Sequence, residues 1–379
     1  MGSSPGARAG SAQPNRNRAT TLDWGYRTVP RILSTASAAP PHRLSQAQAR
    51  GFAQQHFASG FSDVDRLLPV FDHAGIEGRD LCKPPEWFLE HHSFEEKNRE
   101  YIDWAERLGQ EAAEACLARA GVEARDVDHV IFVSTTGLAT PSMDARLAQI
   151  LGLSHHVRRT PLFGLGCAGG TMGLSHAVRS ALAIPESLVL CIAVETTSLT
   201  FLYEDLGKSN LVATALFGDG AAAVLVAGDR APGRGPTVVG TRSTLFDDSI
   251  DVMGWNFLDQ GMQVVFSRAI PGLVTRHSRT DITSFLAEHG IGIDDIRSWI
   301  VHPGGTRVIE AYEQALGLPE EALGETRAVL RDHGNMSSAT VFYVLERFLG
   351  AGRPEPGEYA LMTALGPGFS SEHVLLVGN

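Results

Sequence analysis

The sequence has few cysteines. Cys82, Cys116, Cys167 and Cys191 lie far apart in 379 residues. That spacing excludes a disulfide framework and a zinc site, and it fits a reducing cytoplasm. Long apolar runs are also missing: no stretch of about 18 apolar residues occurs, so no membrane-spanning helix is expected. Positive charge is in deficit, with 32 Lys and Arg against 43 Asp and Glu, a net charge of −11. No basic stripe interrupts that balance, which argues against a nucleic-acid surface. Residues 1–25 lack the apolar segment of a secretory signal, and their Gly, Ser, Ala and Arg content reads as a disordered tail.

What remains is an ordinary globular composition, 43% hydrophobic and 20% charged, on a chain long enough for two core-sized units. Ser45–His56 reads as a helix opened by a serine cap, and Asp63–Gly75 as a second helix. Over Tyr101–Ala120, apolar residues recur at helical spacing until Gly121 supplies a stop. Arg31–Ala36, Asp128–Thr135, Leu188–Glu195 and Ala221–Ala227 read as strands, and Thr237–Phe246 as a strand on the sheet edge. The adjacent pairs His91–His92 and His155–His156 have no third ligand at usable spacing. Packing is the better reading of them than metal binding.

The second half repeats the plan of the first. Cys116–Ser134 and Ser284–His302 each run through a helix end, a glycine stop, an acidic pair and a hydrophobic strand. From Thr135 to Cys167 is 32 positions, and from His302 to Asn335 is 33. The order predicts an α/β protein of two duplicated halves, 26–250 and 251–379, with mixed sheets layered between helices.

The duplication gives Cys167 and Asn335 equivalent corners and sets His302 at a strand end matching Thr135. Pro161–Leu165 reads as a short buried strand that ends in a glycine turn at Cys167 and hands over to a helix, Thr171–Ile184. Unpaired N–H groups at a helix start favour a thiolate, and the small neighbours Gly166, Ala168, Gly169 and Gly170 leave room for a substrate. A buried structural cysteine is the plainer alternative. Asn335 occupies the matching corner of the second half, and His302 ends a strand before a Pro-Gly-Gly turn, where α/β proteins place their chemistry.

The motifs Gly166-Cys-Ala-Gly-Gly170, Phe217-Gly-Asp-Gly220, His302-Pro-Gly-Gly305, His333-Gly-Asn-Met-Ser-Ser338 and Leu365-Gly-Pro-Gly368 occur in the order of one family. The chain resembles the type III polyketide synthases, chalcone-synthase-like enzymes of the thiolase superfamily. The resemblance implies a thiolase-like fold and a homodimer, with the loop near Thr140 approaching the partner's cavity. It implies no metal and no redox cofactor, only acyl-CoA and malonyl-CoA as thioester substrates, with an acyl carrier protein as an alternative donor. Cys167 would take the starter acyl group, its thiol lowered from about 8.5 by a His302 imidazolium. His302 and Asn335 would stabilise the enolate left by decarboxylation. Phe217 matches a gate phenylalanine, and Val264 stands at a second gate position as a smaller residue, which should widen the entrance. Thr135, Thr140, Thr200, Ser337 and the loop Gly366-Pro367-Gly368 would line the cavity. At the CoA mouth Arg66 keeps a charge where Pro69 and His73 replace others, and Arg307 compensates.

The wording around Cys167 and Gly366 is most similar to bacterial alkylresorcinol and alkylpyrone synthases, which implies a long-chain fatty acyl starter. The alternatives are a priming ketoacyl synthase that condenses once with a carrier-bound malonyl group, and an inactive scaffold of the same fold.

Overall fold

The computed structural model describes residues 29–379. The tail expected over 1–25 lies outside them. Thirteen strands occur among the described residues: β1 (Arg31–Ala38), β2 (His42–Ser45), β3 (Gly78–Leu81), β4 (His129–Val133), β5 (Arg158–Leu162), β6 (Leu188–Thr196), β7 (Asp219–Ala227), β8 (Thr237–Leu245), β9 (Met253–Leu258), β10 (Gly261–Phe266), β11 (Ile296–Val301), β12 (Tyr359–Gly366) and β13 (Ser370–Val377). Nine of them form one mixed sheet in the order β11-β12-β13-β8-β1-β7-β6-β4-β5.

The duplication is visible in this order. β4 runs parallel to β6, which is antiparallel to β7; β11 runs parallel to β12, which is antiparallel to β13. β1 completes the first half against β7, and β8 completes the second against β13. The halves join through one residue pair, Arg31 with Thr237. β8 is therefore the seam of the sheet and not its outer edge. Its half-exposed pattern follows from that, because most of its length has a partner on one side only.

Each sheet half buries one face on a shared pair of central helices, Gly169–Ala183 and Thr340–Gly350, in a core that includes Val133, Cys191, Val224, Phe342, Met362 and Val374. Removing the Phe342 ring from this core would cost about 3–5 kcal/mol. The outer faces are covered by the helix Phe94–Ala120 on the first half and by Ile270–Glu288 and Thr306–Leu316 on the second. The central helices meet at their starts because glycines let them. A Cβ on Gly170 would lie 2.2 Å from the Ser338 carbonyl oxygen, and one on Gly169 3.1 Å from the Ser338 Cβ.

Local chemistry explains the boundaries. Ser45 and Gln48 form a capping box at the helix Gln46–His56. A second box, Ser93 with Glu96, starts the long helix at Phe94, seven positions ahead of the expected Tyr101, and Gly121 at φ 66° stops it. The helix expected over Asp63–Gly75 is two short turns, Val64–Arg66 and Pro69–Asp72. Pro69 has no N–H to continue a helix and instead begins the second turn. β5 is a half-exposed edge strand rather than a buried one, in keeping with Pro161, which cannot donate to a neighbour. His92 stacks flat on Trp87 and bonds its carbonyl through Nε2, which is packing; His91 pairs with Glu204. Among the described residues no helix is long and apolar enough to cross a membrane.

Candidate active site

Cys167 sits on a tight 3-10 turn, Gly166–Ala168, between β5 and the central helix Gly169–Ala183. Gly166 takes φ 48°, and a Cβ there would lie 2.7 Å from the Pro367 ring, so only glycine makes this turn. The thiol is 6% exposed. The equivalent turn of the second half, Ser337–Ala339, follows Asn335 and opens the other central helix. Meeting at their starts, the two helices bring Asn335 Oδ1 to 4.0 Å from the Cys167 sulfur. The Ser337 N–H donates to that same oxygen at 2.8 Å, while Asn335 Nδ2 donates to the Gly304 carbonyl at 3.3 Å. Ser337 holds φ 47°, a left-handed conformation rare for serine, and this aims its N–H back at Asn335.

His302 follows β11 directly. Its backbone N–H donates to the Thr363 carbonyl at 2.9 Å, which carries the sheet ladder one residue further. The imidazole is 3% exposed, and both ring nitrogens lack a hydrogen-bond partner. Burial alone lowers its pKa to about 3. Burial likewise pushes the Cys167 thiol up to about 12; the Ser337 hydroxyl and Asn335 oppose this, and the nearby Glu195 carboxyl adds to it. The expectation of an imidazolium that lowers the thiol is therefore corrected. Burial disfavours both charges, the thiolate and the imidazolium alike.

Glu195 at the end of β6 is itself fully buried. It accepts from the Thr135 N–H at 3.0 Å, the Thr135 hydroxyl at 3.2 Å, the Thr136 hydroxyl at 2.8 Å and the Ser338 hydroxyl at 2.5 Å. Burial raises its pKa against those bonds.

Two cavities flank this centre. One, of about 650 Å³, is lined by Cys167, His302 and Asn335 and reaches Arg66, Lys208, Arg268 and Arg307. Of these cations, Arg66 is already paired with Asp63 at 2.8 Å. The other cavity, of about 380 Å³, is mostly apolar and is lined by Phe52, Phe88, Thr200, Phe217, Trp255 and Val264, among others. Phe217 faces the second cavity and Phe266 the first, with their rings 5.5 Å apart.

The structure thus gathers Cys167, His302, Asn335, Arg66 and Arg307 around one space and Phe217, Val264 and Thr200 around its neighbour. Ser337 adjoins the thiol. The remaining expected lining residues stand elsewhere. Thr135 is buried on Glu195, and Thr140 is on an exposed loop. Gly366 and Pro367 pack on the backbone of the Cys167 turn, where a Cβ on Gly366 would meet that of Ala168 at 2.5 Å. They shape the turn and line neither cavity. Lys208, Arg268 and Phe266 were not anticipated. Phe266 had a signal, since two residues beyond Val264 on a strand is the same face. Lys208 and Arg268 are single charges 60 positions apart and carry no local pattern.

Residues 84–230 match the N-terminal domain of the chalcone and stilbene synthases, and residues 238–378 match the C-terminal domain. A 1,3,6,8-tetrahydroxynaphthalene synthase of Streptomyces peucetius subsp. caesius is 39% identical over 362 residues, 95% of each chain. A 3,5-dihydroxyphenylacetyl-CoA synthase of Streptomyces toyocaensis is 33% identical over 339 residues, 86% of each chain. The crystal structure of the 1,3,6,8-tetrahydroxynaphthalene synthase of Streptomyces coelicolor A3(2), described as a bacterial type III polyketide synthase, superposes with a TM-score of 0.88 at 28% identity, over 92% of this chain and 99% of that one. The chain belongs to the chalcone and stilbene synthase family of thiolase-like fold, the type III polyketide synthases, acyltransferases that build polyketides by decarboxylative condensation.

Proposed function

We propose that this protein loads a long-chain fatty acyl group from CoA onto Cys167, extends it with malonyl-CoA, and releases an alkylpyrone or alkylresorcinol. The observation that carries the starter reading is the mostly apolar cavity of about 380 Å³ lined by Phe217 and Val264. Burying each methylene contributes about 0.8 kcal/mol, so an apolar tail gains from entering it.

Each group has a task that its surroundings suit. The sulfur of Cys167 attacks the starter thioester carbon, and the carbonyl collapses with loss of CoA as a thiolate, so that the thiol proton stays on His302. A neutral His302 with two unpartnered nitrogens can take the thiol proton as the S–C bond forms. Malonyl-CoA then loses CO₂, and the electron pair of the broken C–C bond becomes an enolate. The second N–H of Asn335 Nδ2, whose first is held by the Gly304 carbonyl, and the protonated His302 are donors fixed in advance for that charge. The enolate carbon attacks the Cys167 thioester and expels the thiolate, two carbons longer per round. Lys208, Arg268 and Arg307 would meet the CoA phosphates at the mouth, with a smaller part for Arg66. No metal or redox group has a step in this scheme. The exposed loop around Leu138 and Thr140 would face a second copy in a homodimer, which light scattering on purified protein tests.

Mass spectrometry of the products from a graded panel of acyl-CoA starters with malonyl-CoA tests the substrate reading. Long-chain pyrones or resorcinols support it. A product formed from malonyl-CoA alone, or a preference for short aromatic starters, overturns it. A single condensation that requires a carrier protein would indicate a priming ketoacyl synthase.

A further inference from the structure

Arg79 is 1% exposed, on β3, and its guanidinium touches no carboxylate among its hydrogen-bond partners. Burying a cation this way is unfavourable, and burial lowers its pKa to about 10, so it is still charged at neutral pH. Its bonds show what keeps it there. The helix Lys208–Leu216 ends beside it, and a helix end leaves its last carbonyls without internal partners. Here every one of them can be followed. The Ala213 carbonyl accepts from the Phe217 N–H at 2.9 Å. The Thr214 carbonyl accepts from Arg79 Nη1 at 2.7 Å, and the Phe217 carbonyl from the same nitrogen at 3.2 Å. Gln46 Nε2 takes the Ala215 carbonyl at 3.2 Å, and Gln46 Oε1 in turn accepts from Arg79 Nη2. The Leu216 carbonyl accepts from the backbone N–H of Asn335 at 2.9 Å, and the Asn335 carbonyl accepts from the Gly218 N–H at 3.0 Å.

The segment Leu216–Gly218 is therefore held between two grips. Asn335 pairs with it on one side, as a bridge between Phe217 and Asn335. Arg79 and Gln46 hold it on the other. Gly218 fits because a Cβ there would meet the His333 carbonyl oxygen at 2.6 Å and the Arg79 Cβ at 3.0 Å. Phe217 stands between the two cavities, and Asn335 faces the sulfur, so a shift of this segment moves both.

We propose that Arg79, seconded by Gln46, is a positioning residue of the condensation: by binding the helix-end carbonyls it fixes Phe217 and sets the amide of Asn335 at the distance where decarboxylation and carbon–carbon bond formation stay coupled. Its hydrogen bonds reach backbone carbonyls and Gln46 and not the sulfur, while the residue also borders the apolar cavity. A planar fork suits the task, since Nη1 serves two carbonyls while Nη2 holds Gln46; a lysine gathers its donors on one nitrogen and cannot span both. The proposal rests on the reading that Asn335 donates to the enolate oxygen.

The test compares Arg79→Met, Arg79→Lys and Gln46→Leu with the unaltered protein. Condensation kcat, KM for malonyl-CoA, CO₂ released per unit condensed, and the rate of Cys167 alkylation by iodoacetamide are measured. Misplacing the amide should lower kcat in Arg79→Met by about tenfold to a hundredfold while KM stays within about twofold. CO₂ release should outrun condensation, because enolate formed beside a displaced Phe217 is lost to protonation. Arg79→Lys and Gln46→Leu should shift in the same direction and less far. The alkylation rate should hold, since the Cys167 turn is built elsewhere. Folded Arg79→Met and Gln46→Leu proteins with unchanged kcat and unchanged CO₂ per product overturn the proposal. If Arg79→Met fails to fold, the same result in Arg79→Lys and Gln46→Leu overturns it. The reading of Asn335 has its own control: an Asn335→Ala protein that releases CO₂ as before removes that reading, whatever the Arg79 variants do.

Discussion

Replacing Val264 by phenylalanine should shorten the longest acyl chain that the protein extends. Val264 is 9% exposed, lines the apolar cavity and pairs across the hairpin with Trp255. Phenylalanine adds about four carbons at that wall, roughly the space of four methylenes of an acyl tail. At about 0.8 kcal/mol each, a tail that used the space loses about 3.2 kcal/mol, or about 200-fold in kcat/KM. Shorter starters that never reached it should change little. The assay is kcat/KM over an even-numbered acyl-CoA series from four to sixteen carbons, with radiolabelled malonyl-CoA. In the unaltered protein kcat/KM should rise about fourfold per methylene up to a cut-off; in Val264→Phe the same slope should end about four carbons earlier. An unchanged cut-off means the tail lies elsewhere. A uniform loss at every length means that the bulkier ring has obstructed the passage itself.

A Cys167→Ala protein should form no extended product and still release CO₂ from malonyl-CoA, because His302 and Asn335 remain; full condensation by that variant removes the nucleophile assignment. Between its ordinary 6.5 and about 3, His302 stays neutral in the fold while the unfolded chain binds the proton. Stability should therefore fall as pH drops through that window, by at most about 1.4 kcal/mol per pH unit from this group, and urea midpoints should fall less steeply in His302→Gln. Changing Lys208, Arg268 and Arg307 together to glutamine should raise KM for malonyl-CoA about tenfold with kcat nearly unchanged, and added salt should shrink the difference. Arg66→Gln should do much less, since Asp63 already holds that guanidinium. Gly170→Ala sets a methyl against the Ser338 carbonyl and should lower the denaturation midpoint by about 1–3 kcal/mol of stability; an unchanged midpoint shows that the central helices can part without loss.

Much of the site was written in local pattern. Periodicity placed the long helix and the buried strands, and the matched corners of Cys167 and Asn335 announced that two strand-to-helix turns would face each other. Those signals are short-range, because each depends on the residues within a turn or two. The sequence stretch around His302 likewise carried its strand and its turn. Other features depend on groups far apart in the chain. The joining of two half-sheets at Arg31 and Thr237, the pairing of Phe217 with Phe266, and the gathering of Lys208, Arg268 and Arg307 at one mouth are long-range arrangements with no local signature.

Charge state divides the same way. A helix start and a neighbouring histidine, read along the chain, favour a thiolate at Cys167. Only the folded protein shows that the sulfur and the imidazole are both buried, which disfavours the charge on each. Which residues stand at the corners could be read along the chain, because helix starts, strand ends and glycine turns are local properties. How deeply those corners are buried, and which distant groups hold them still, the Arg79 guanidinium among them, depends on the folded chain. Desolvation and long-range hydrogen bonding depend on everything packed around a group, and no window of sequence contains that.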